Sequence, residues 1–314
     1  MTHPLVVGID IGGTNTSFGI VNRRGEIVSK GKMSTRGHDT PGEFVAALKN
    51  ELFPLIEAAG IDNIAGAGIG APNGNFFTGE IVFAPNLVWK GVVPMAQLVS
   101  DALGMSATLT NDANAAAIGE MTYGAAKGMR DFIVVTLGTG VGSGFVANGQ
   151  LIYGHDGFAG ELGHVIAVRE GRKCGCGRHG CLETYSSATG IARTAEEWLE
   201  QSDDNTILRS HKGAIDAHLI YEAALKGDVM ALALYKYTGK ILGQVLADAV
   251  AITSPQAIIF FGGLARSGDL LFKHVHHYME ANLLHIYRDK VKLIPSALPD
   301  ADAAILGASA LAWG

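Results

Sequence analysis

The chain has 314 residues, 48% of them hydrophobic and 17% charged, which describes a packed globular protein rather than a disordered one. One core rarely grows to this size, so two domains are expected. The net charge of -6 argues against a general binder of nucleic acid or anionic membrane.

No run of about 18 uninterrupted apolar residues offers a membrane span. The opening MTHPLVVGID has neither the basic stretch nor the long apolar stretch of a secretory signal. A cytoplasmic location is the expectation. The three cysteines cannot all pair within the chain, so reduced thiols are expected too.

Residues 4–33 read as three strands, PLVVGID, TSFGIVN and GEIVSKGKM, the first two joined by the glycine turn IGGTN. Residues 41–59 carry helical apolar spacing with Pro41 at the start, and AGAGIGAP follows as a buried strand ending in a loop. In NDANAAAIGE, residues 111–120, Asn and Asp precede an alanine-rich segment. That pattern is the ordinary signature of a helix N-cap. It equally suits a base: Asp112 would accept a proton from a substrate hydroxyl while the helix N-terminus keeps it ionised and weakly basic. Weak basicity is tolerable in phosphoryl transfer, where positioning and charge stabilisation dominate.

Residues 130–154 repeat the opening at one constant offset, with Asp10 falling on Thr136, Gly12 on Gly138, Ser17 on Ser143 and Asn22 on Asn148. Two similar α/β lobes facing one cleft are expected, each aiming a glycine turn into it. DIGGTN and GTGVGSG sit between hairpin strands, which excludes the strand-to-helix phosphate motifs. Each turn alone is compatible with an ordinary tight hairpin. Finding it twice favours phosphate binding through backbone N–H groups, with Asp10 holding Mg²⁺ through water.

Every cysteine lies in GHVIAVREGRKCGCGRHGCLE, residues 163–183. With His164, the thiols of Cys174, Cys176 and Cys181 make a Cys₃His set that suits a closed, structural zinc site. A redox thiol pair and an inert reduced cluster are the alternatives. From residue 190 the pattern is mostly helical, including YKYTGKILGQVLADAVAIT. The strand AIIFFGGL and a closing helix ADAAILGASALAWG complete the chain. The domain boundary is placed near residue 118: residues 1–118 with the C-terminal helix 300–314 as a small lobe, and 119–299 as a large lobe with the cysteine loop. The histidines of HKGAIDAHL and KHVHHYMEANLLH read as solvated helix faces.

DIGGT, NDANAAAIGE, GTGVGSG, GELGH and CGCGRHGCLE together resemble the ROK family of bacterial sugar kinases across essentially the whole chain. The resemblance implies a bilobal actin-like (ribonuclease H-like) ATPase fold around a central cleft. It further implies ATP-dependent phosphorylation of a hexose, with Mg²⁺, a structural zinc and a homodimer. By this resemblance Asp112 matches the catalytic base, and Asn111, Glu161, His164 and Glu183 match sugar ligands. Asp10, Gly12, Gly13 and Thr14 match the first phosphate motif, Gly138, Thr139 and Gly140 the second, and Gly262 and Gly263 the adenosine half. Gly74 and Asn86, in APNGNFF and APNLVWKG, are further sugar neighbours. His164 would ligate zinc with one ring nitrogen and face a sugar hydroxyl with the other. The pairing of GELGH with APNLVW resembles glucokinases, so phosphorylation of the 6-hydroxyl of glucose is expected. The alternatives are N-acetylmannosamine, fructose or allose as substrate, or a sugar-sensing repressor of the same family. Repressors carry a DNA-binding region ahead of the first phosphate motif, and Asp10 stands only nine residues from the start. A chaperone-like ATPase would need a peptide-binding region, and none is visible.

Overall fold

The computed structural model describes residues 3–299 and 302–313, which form two compact units. Unit 1 comprises Met1–Met129, Gly144–Gly160 and Ser296–Gly314, and unit 2 comprises Arg130–Ser143 and Glu161–Pro295.

Unit 1 opens with β1 (Leu5–Ile11), β2 (Asn15–Asn22) and β3 (Ile27–Ser34), an antiparallel meander of β-branched and apolar residues. Then comes α1 (Pro41–Ala59). Thr40 and Glu43 close a capping box at its start, and Pro41 occupies a first-turn position where no N–H is needed. Phe44, Leu48, Leu52 and Ile56 recur every four residues along it and are buried against Ile9, Phe18, Ile20 and Ile69 of the sheet. Each such side chain contributes about 1.5–3 kcal/mol by leaving water.

β4 (Ile64–Ala71) lies parallel to β1, and β5 (Gly74–Asn75), β6 (Glu80–Val82) and β7 (Val92–Val93) form a small antiparallel sheet. After α2 (Met95–Leu103), β8 (Ala107–Asn111) adds parallel to β4 and runs straight into α3 (Asp112–Thr122). The sheet order is β3-β2-β1-β4-β8.

The chain continues through β9 (Phe132–Leu137), β10 (Val141–Ala147) and β11 (Gln150–Leu151). The short α4 (Glu183–Ser186), then α5 (Ala188–Gln201), α6 (Ala217–Leu225) and α7 (Val229–Thr253) lead to β12 (Ala257–Phe261), α8 (Asp269–Asn282) and β13 (Lys292–Pro295). These strands order as β11-β10-β9-β12-β13, with β12 parallel to β9 and β13 parallel to β12. The α/β topology thus occurs twice: a three-stranded meander, then two parallel strands added beside its inner strand. That duplication is the actin-like, ribonuclease H-like plan, and the repeat legible at a constant offset corresponds to β1-β2 and β9-β10.

The closing helix, α9 (Ala303–Ala310), returns to unit 1 and packs on α3, β1 and β4. The expected helix start at residue 300 lies outside the described residues. Gly307 and Gly119 allow the two helices to approach until a Cβ on Gly119 would stand 2.8 Å from the Gly307 Cα. This packing explains why the division does not follow the expected boundary near residue 118, which would cut α3. The chain leaves unit 1 at Met129, and the division also passes through β10, between Ser143 and Gly144. Among the described residues, no helix is long and apolar enough to cross a membrane.

Candidate active site

In unit 1, β1 and β8 flank β4 in parallel, so Asp10 near the end of β1 and Asp112 directly after β8 emerge at the same C-terminal edge of the sheet. Gly70 of β4 lies between them: a Cβ there would stand 3.6 Å from Asp10 Oδ1 and 3.8 Å from the Asp112 Cα. The C-terminal edge of parallel strands is where α/β sheets place their ligands. Beyond Asp10 the turn Gly12–Thr14 closes with the Gly12 N–H donating to the Asn15 carbonyl at 3.0 Å. Burial, and then the neighbouring charge of Asp112, push the Asp10 carboxyl up to about 7.

Asn111 caps α3, its side chain accepting from the Ala113 N–H at 2.8 Å, so the capping role read from the sequence is present. The Asp112 side chain accepts from the same N–H at 2.8 Å. Asp112 is exposed, yet loss of hydration raises its carboxyl above the ordinary value, against the opposing pull of backbone N–H bonds. The two facts agree if water touches the carboxylate at its rim while surrounding protein thins the bulk solvent. Desolvation therefore outweighs the helix terminus, and Asp112 is a stronger base than the sequence suggests.

The second turn, in unit 2, differs in one respect. Thr136, the counterpart of Asp10, accepts from the Gly142 N–H at 3.1 Å and so serves its own hairpin. Only the first turn presents a carboxylate. Gly138–Gly140 is held by the elbow between α4 and α5: the Ala188 N–H donates to the Gly138 carbonyl at 2.9 Å, and the Thr189 hydroxyl to the Thr139 carbonyl at 2.7 Å. Glu183, first residue of α4, accepts from the Val141 N–H at 3.2 Å. Its carboxylate occupies the space beside Gly140, where a Cβ would stand 2.2 Å from Glu183 Oε2. The turn carrying Glu161 and His164 packs on the same strand: Ser143 accepts from the Leu162 N–H at 3.1 Å, and a Cβ on Gly163 would meet the Val141 carbonyl at 2.0 Å.

His164, Cys174, Cys176 and Cys181 come together with their ligand atoms all within 4.8 Å of one another. The Cys176 and Cys181 sulfurs are 3.6 Å apart, and Cys174 Sγ lies 3.7 Å from His164 Nδ1. A tetrahedral ion with Zn–S near 2.3 Å separates its ligand atoms by about 3.5–3.8 Å, so the cluster has the right size and donor set. All three cysteines are unbridged. With Nδ1 on the cysteine side, Nε2 is left for another partner. Behind the cluster, Arg172 donates to Thr184 and Gly190 carbonyls, to the Thr194 hydroxyl and to Glu197, and stacks 4.4 Å over Tyr185. Arg172 thus pins the cysteine loop to α4 and α5.

A cavity of about 590 Å³ within unit 2 is lined by Gly263, Leu264, Arg266, His218 and Tyr221, and reaches Ala188 at the start of α5. Gly262 ends β12 at φ 105°, where a Cβ would strike the backbone of Leu137 just before the second turn. Gly263 lines the cavity beside it. His218, read from the sequence as part of a solvated face, stands on the cavity wall. Asp216, which caps α6 through the Leu219 N–H, was the available signal that this segment is ordered at a helix start.

Of the two remaining expected residues, Gly74 has a packing reason for its identity, and Asn86 supplies one for Gly13. A Cβ on Gly74 would meet the Thr110 carbonyl at 2.5 Å, and the Asn86 carbonyl lies 2.7 Å from where a Cβ of Gly13 would be. Asn86 therefore abuts the first glycine turn.

The family model described as ROK family matches residues 6–314. A glucokinase of Halalkalibacterium halodurans is 33% identical, covering 98% of this chain and 94% of its own. An N-acetylmannosamine kinase of Citrobacter koseri is 30% identical over 98% of each chain. A ROK family glucokinase from Streptomyces griseus, crystallised with glucose and AMPPNP, shares 32% identity and a TM-score of 0.81 over 98% of each chain.

Proposed function

Because the chain belongs to the ROK family, we propose that it transfers the γ-phosphoryl group of ATP to the 6-hydroxyl of glucose, with Asp112 as the base. The observation that carries this reading is Asp112 itself: an exposed carboxylate of raised basicity, near Asp10 across Gly70. A primary hydroxyl is the least hindered acceptor. Asp112 takes its proton as the oxygen attacks phosphorus, so the alkoxide never has to exist free.

Asn111, Glu161, His164 and Glu183 serve as ligands to the sugar. Gly12, Gly13 and Thr14 form the first phosphate motif and Gly138, Thr139 and Gly140 the second, while Gly262 and Gly263 border the adenosine. Asp10 fits a magnesium site, since its desolvated carboxylate beside Asp112 gains most from a divalent cation. Mg²⁺ would neutralise developing charge on the phosphates. The Cys₃His cluster fits a structural zinc that fixes the loop bearing His164 and Glu183. Gly74 and Asn86 are further neighbours of the sugar. A homodimer belongs to the same reading, and light scattering at one chain per particle would remove it.

The test is ADP release across a panel of hexoses. Glucose is expected to give the highest kcat/KM. A faster rate with N-acetylmannosamine, fructose or allose would reassign the substrate and keep the kinase. Glucose binding without ADP release would make the chain a sensor.

A further inference from the structure

Glu183 is a proposed sugar ligand whose carboxylate also packs against the second glycine turn, and from that double position we infer that it couples the two substrates. The inference rests on the sugar-kinase reading. Its carboxylate accepts from the Val141 N–H at 3.2 Å, and the hydrogen of Gly140 is all that separates that glycine from Glu183 Oε2. The main chain on either side of Glu183 adds to the connection. The Ser187 hydroxyl donates to the Glu183 carbonyl at 2.7 Å, and Ala188 and Thr189 bond to Gly138 and Thr139. Glu183 and residues 138–141 therefore form one hydrogen-bonded block.

A sugar hydroxyl donating to Glu183 engages the same carboxylate whose Oε2 holds the Val141 N–H. It fixes the carboxylate's position, and with it the path of the turn that must receive phosphate. A nucleotide that orders the turn fixes Glu183 for the sugar in the same way. Linkage makes the effect reciprocal: each ligand tightens the other by one common factor. The coupling is built from a carboxylate, an N–H group and the absence of a side chain at residue 140.

The turn supplies its own control. A Cβ at Gly140 meets Glu183 Oε2 at 2.2 Å, whereas a Cβ at Gly138 meets nothing within 4 Å. Calorimetric titration of glucose alone, with no nucleotide present, is therefore expected to show Gly140→Ala weakened about fivefold, and Gly138→Ala close to wild type. Sugar affinity would then depend on a residue of the phosphate turn in the absence of any phosphate. Equal glucose affinity in Gly140→Ala and wild type overturns the proposal.

Glu183→Asp tests it without substituting a turn residue, because the shortened side chain withdraws from Val141. Wild-type protein is expected to bind AMPPNP about fivefold more tightly with glucose present, and Glu183→Asp to lose that factor. A factor retained in Glu183→Asp overturns the coupling while leaving the kinase reading intact. Wild-type protein that binds no glucose overturns the substrate reading and this inference together.

Discussion

Asp112→Asn keeps the shape of the side chain and removes its basicity. It is expected to lower kcat about 10²–10⁴-fold while glucose affinity, read by calorimetry, changes little. The pH profile gives an independent check. A base works only when ionised, so activity falls as pH drops through its pKa. Because desolvation raises that value, the acid limb of kcat/KM is expected above the ordinary 3.8. A limb at the ordinary value, or a variant with wild-type kcat, would take Asp112 out of the mechanism. At this scale the sequence was informative about identity and less so about environment. Asp112 and Asn111 were legible because the pattern of an N-cap and that of a base coincide in NDAN, and α3 realises the first of them. The raised carboxyl was not legible, since it depends on protein that no local pattern specifies. The two roles of Glu183 were half legible: its place in CLE marks the cysteine loop, but its bond to Val141 joins residues 42 apart in the chain.

Two elements carry their own tests. The cysteine loop is held at one end by the Cys₃His cluster and at the other by Arg172, so metal content and stability can be separated. Protein purified without added metal is expected to contain about one zinc per chain, and Cys176→Ser to lose it. Full activity in a metal-free preparation would remove zinc from the account. At the other end, burial alone would raise the Glu197 carboxyl, but the hydrogen bonds and charges of Arg172 and Arg193 outweigh it and hold it below its ordinary value. A depressed carboxylate stabilises the fold above its unfolded pKa, and that contribution disappears as pH falls through the lower, folded value. Glu197→Gln is therefore expected to cost about 1 kcal/mol or less at pH 7, given its partial exposure, with the difference from wild type shrinking as pH falls below the ordinary 4.5. Thermal melts at both ends of that range check it. The helices themselves were readable: residues 41–59 emerge as α1 with both bounds as expected, because Thr40, Pro41 and Glu43 mark its start locally. Arg172 was not readable as a clamp, because its partners lie on segments 12–25 residues away.

For the molecule as a whole, glucose at about 100 times its Kd is expected to stabilise the fold by about 2.7 kcal/mol, and mannose or galactose at equal concentration by less. A thermal shift assay reads this directly, and equal shifts for all three sugars would remove the epimer selectivity. The duplicated topology was legible in the constant offset between the two glycine hairpins, since strand and turn patterns are local. The division of the chain was not, because it follows packing between segments far apart in sequence. α9 shows how far apart. Gly307→Val drives a side chain into the Ala115 backbone and is expected to destabilise by about 1–3 kcal/mol in denaturant titration. The same packing sets an order of events during synthesis. A ribosome synthesises the whole of unit 2 before α9, while β1 and β4, made first, have no α9 to cover them. The segment that nucleates earliest in time is thus the last to be closed. The half-built unit 1 carries an apolar sheet face for tens of seconds of elongation, when aggregation competes with folding. A chain truncated after Pro295 should therefore keep protease resistance in unit 2 and show a chaperone-dependent, protease-sensitive unit 1.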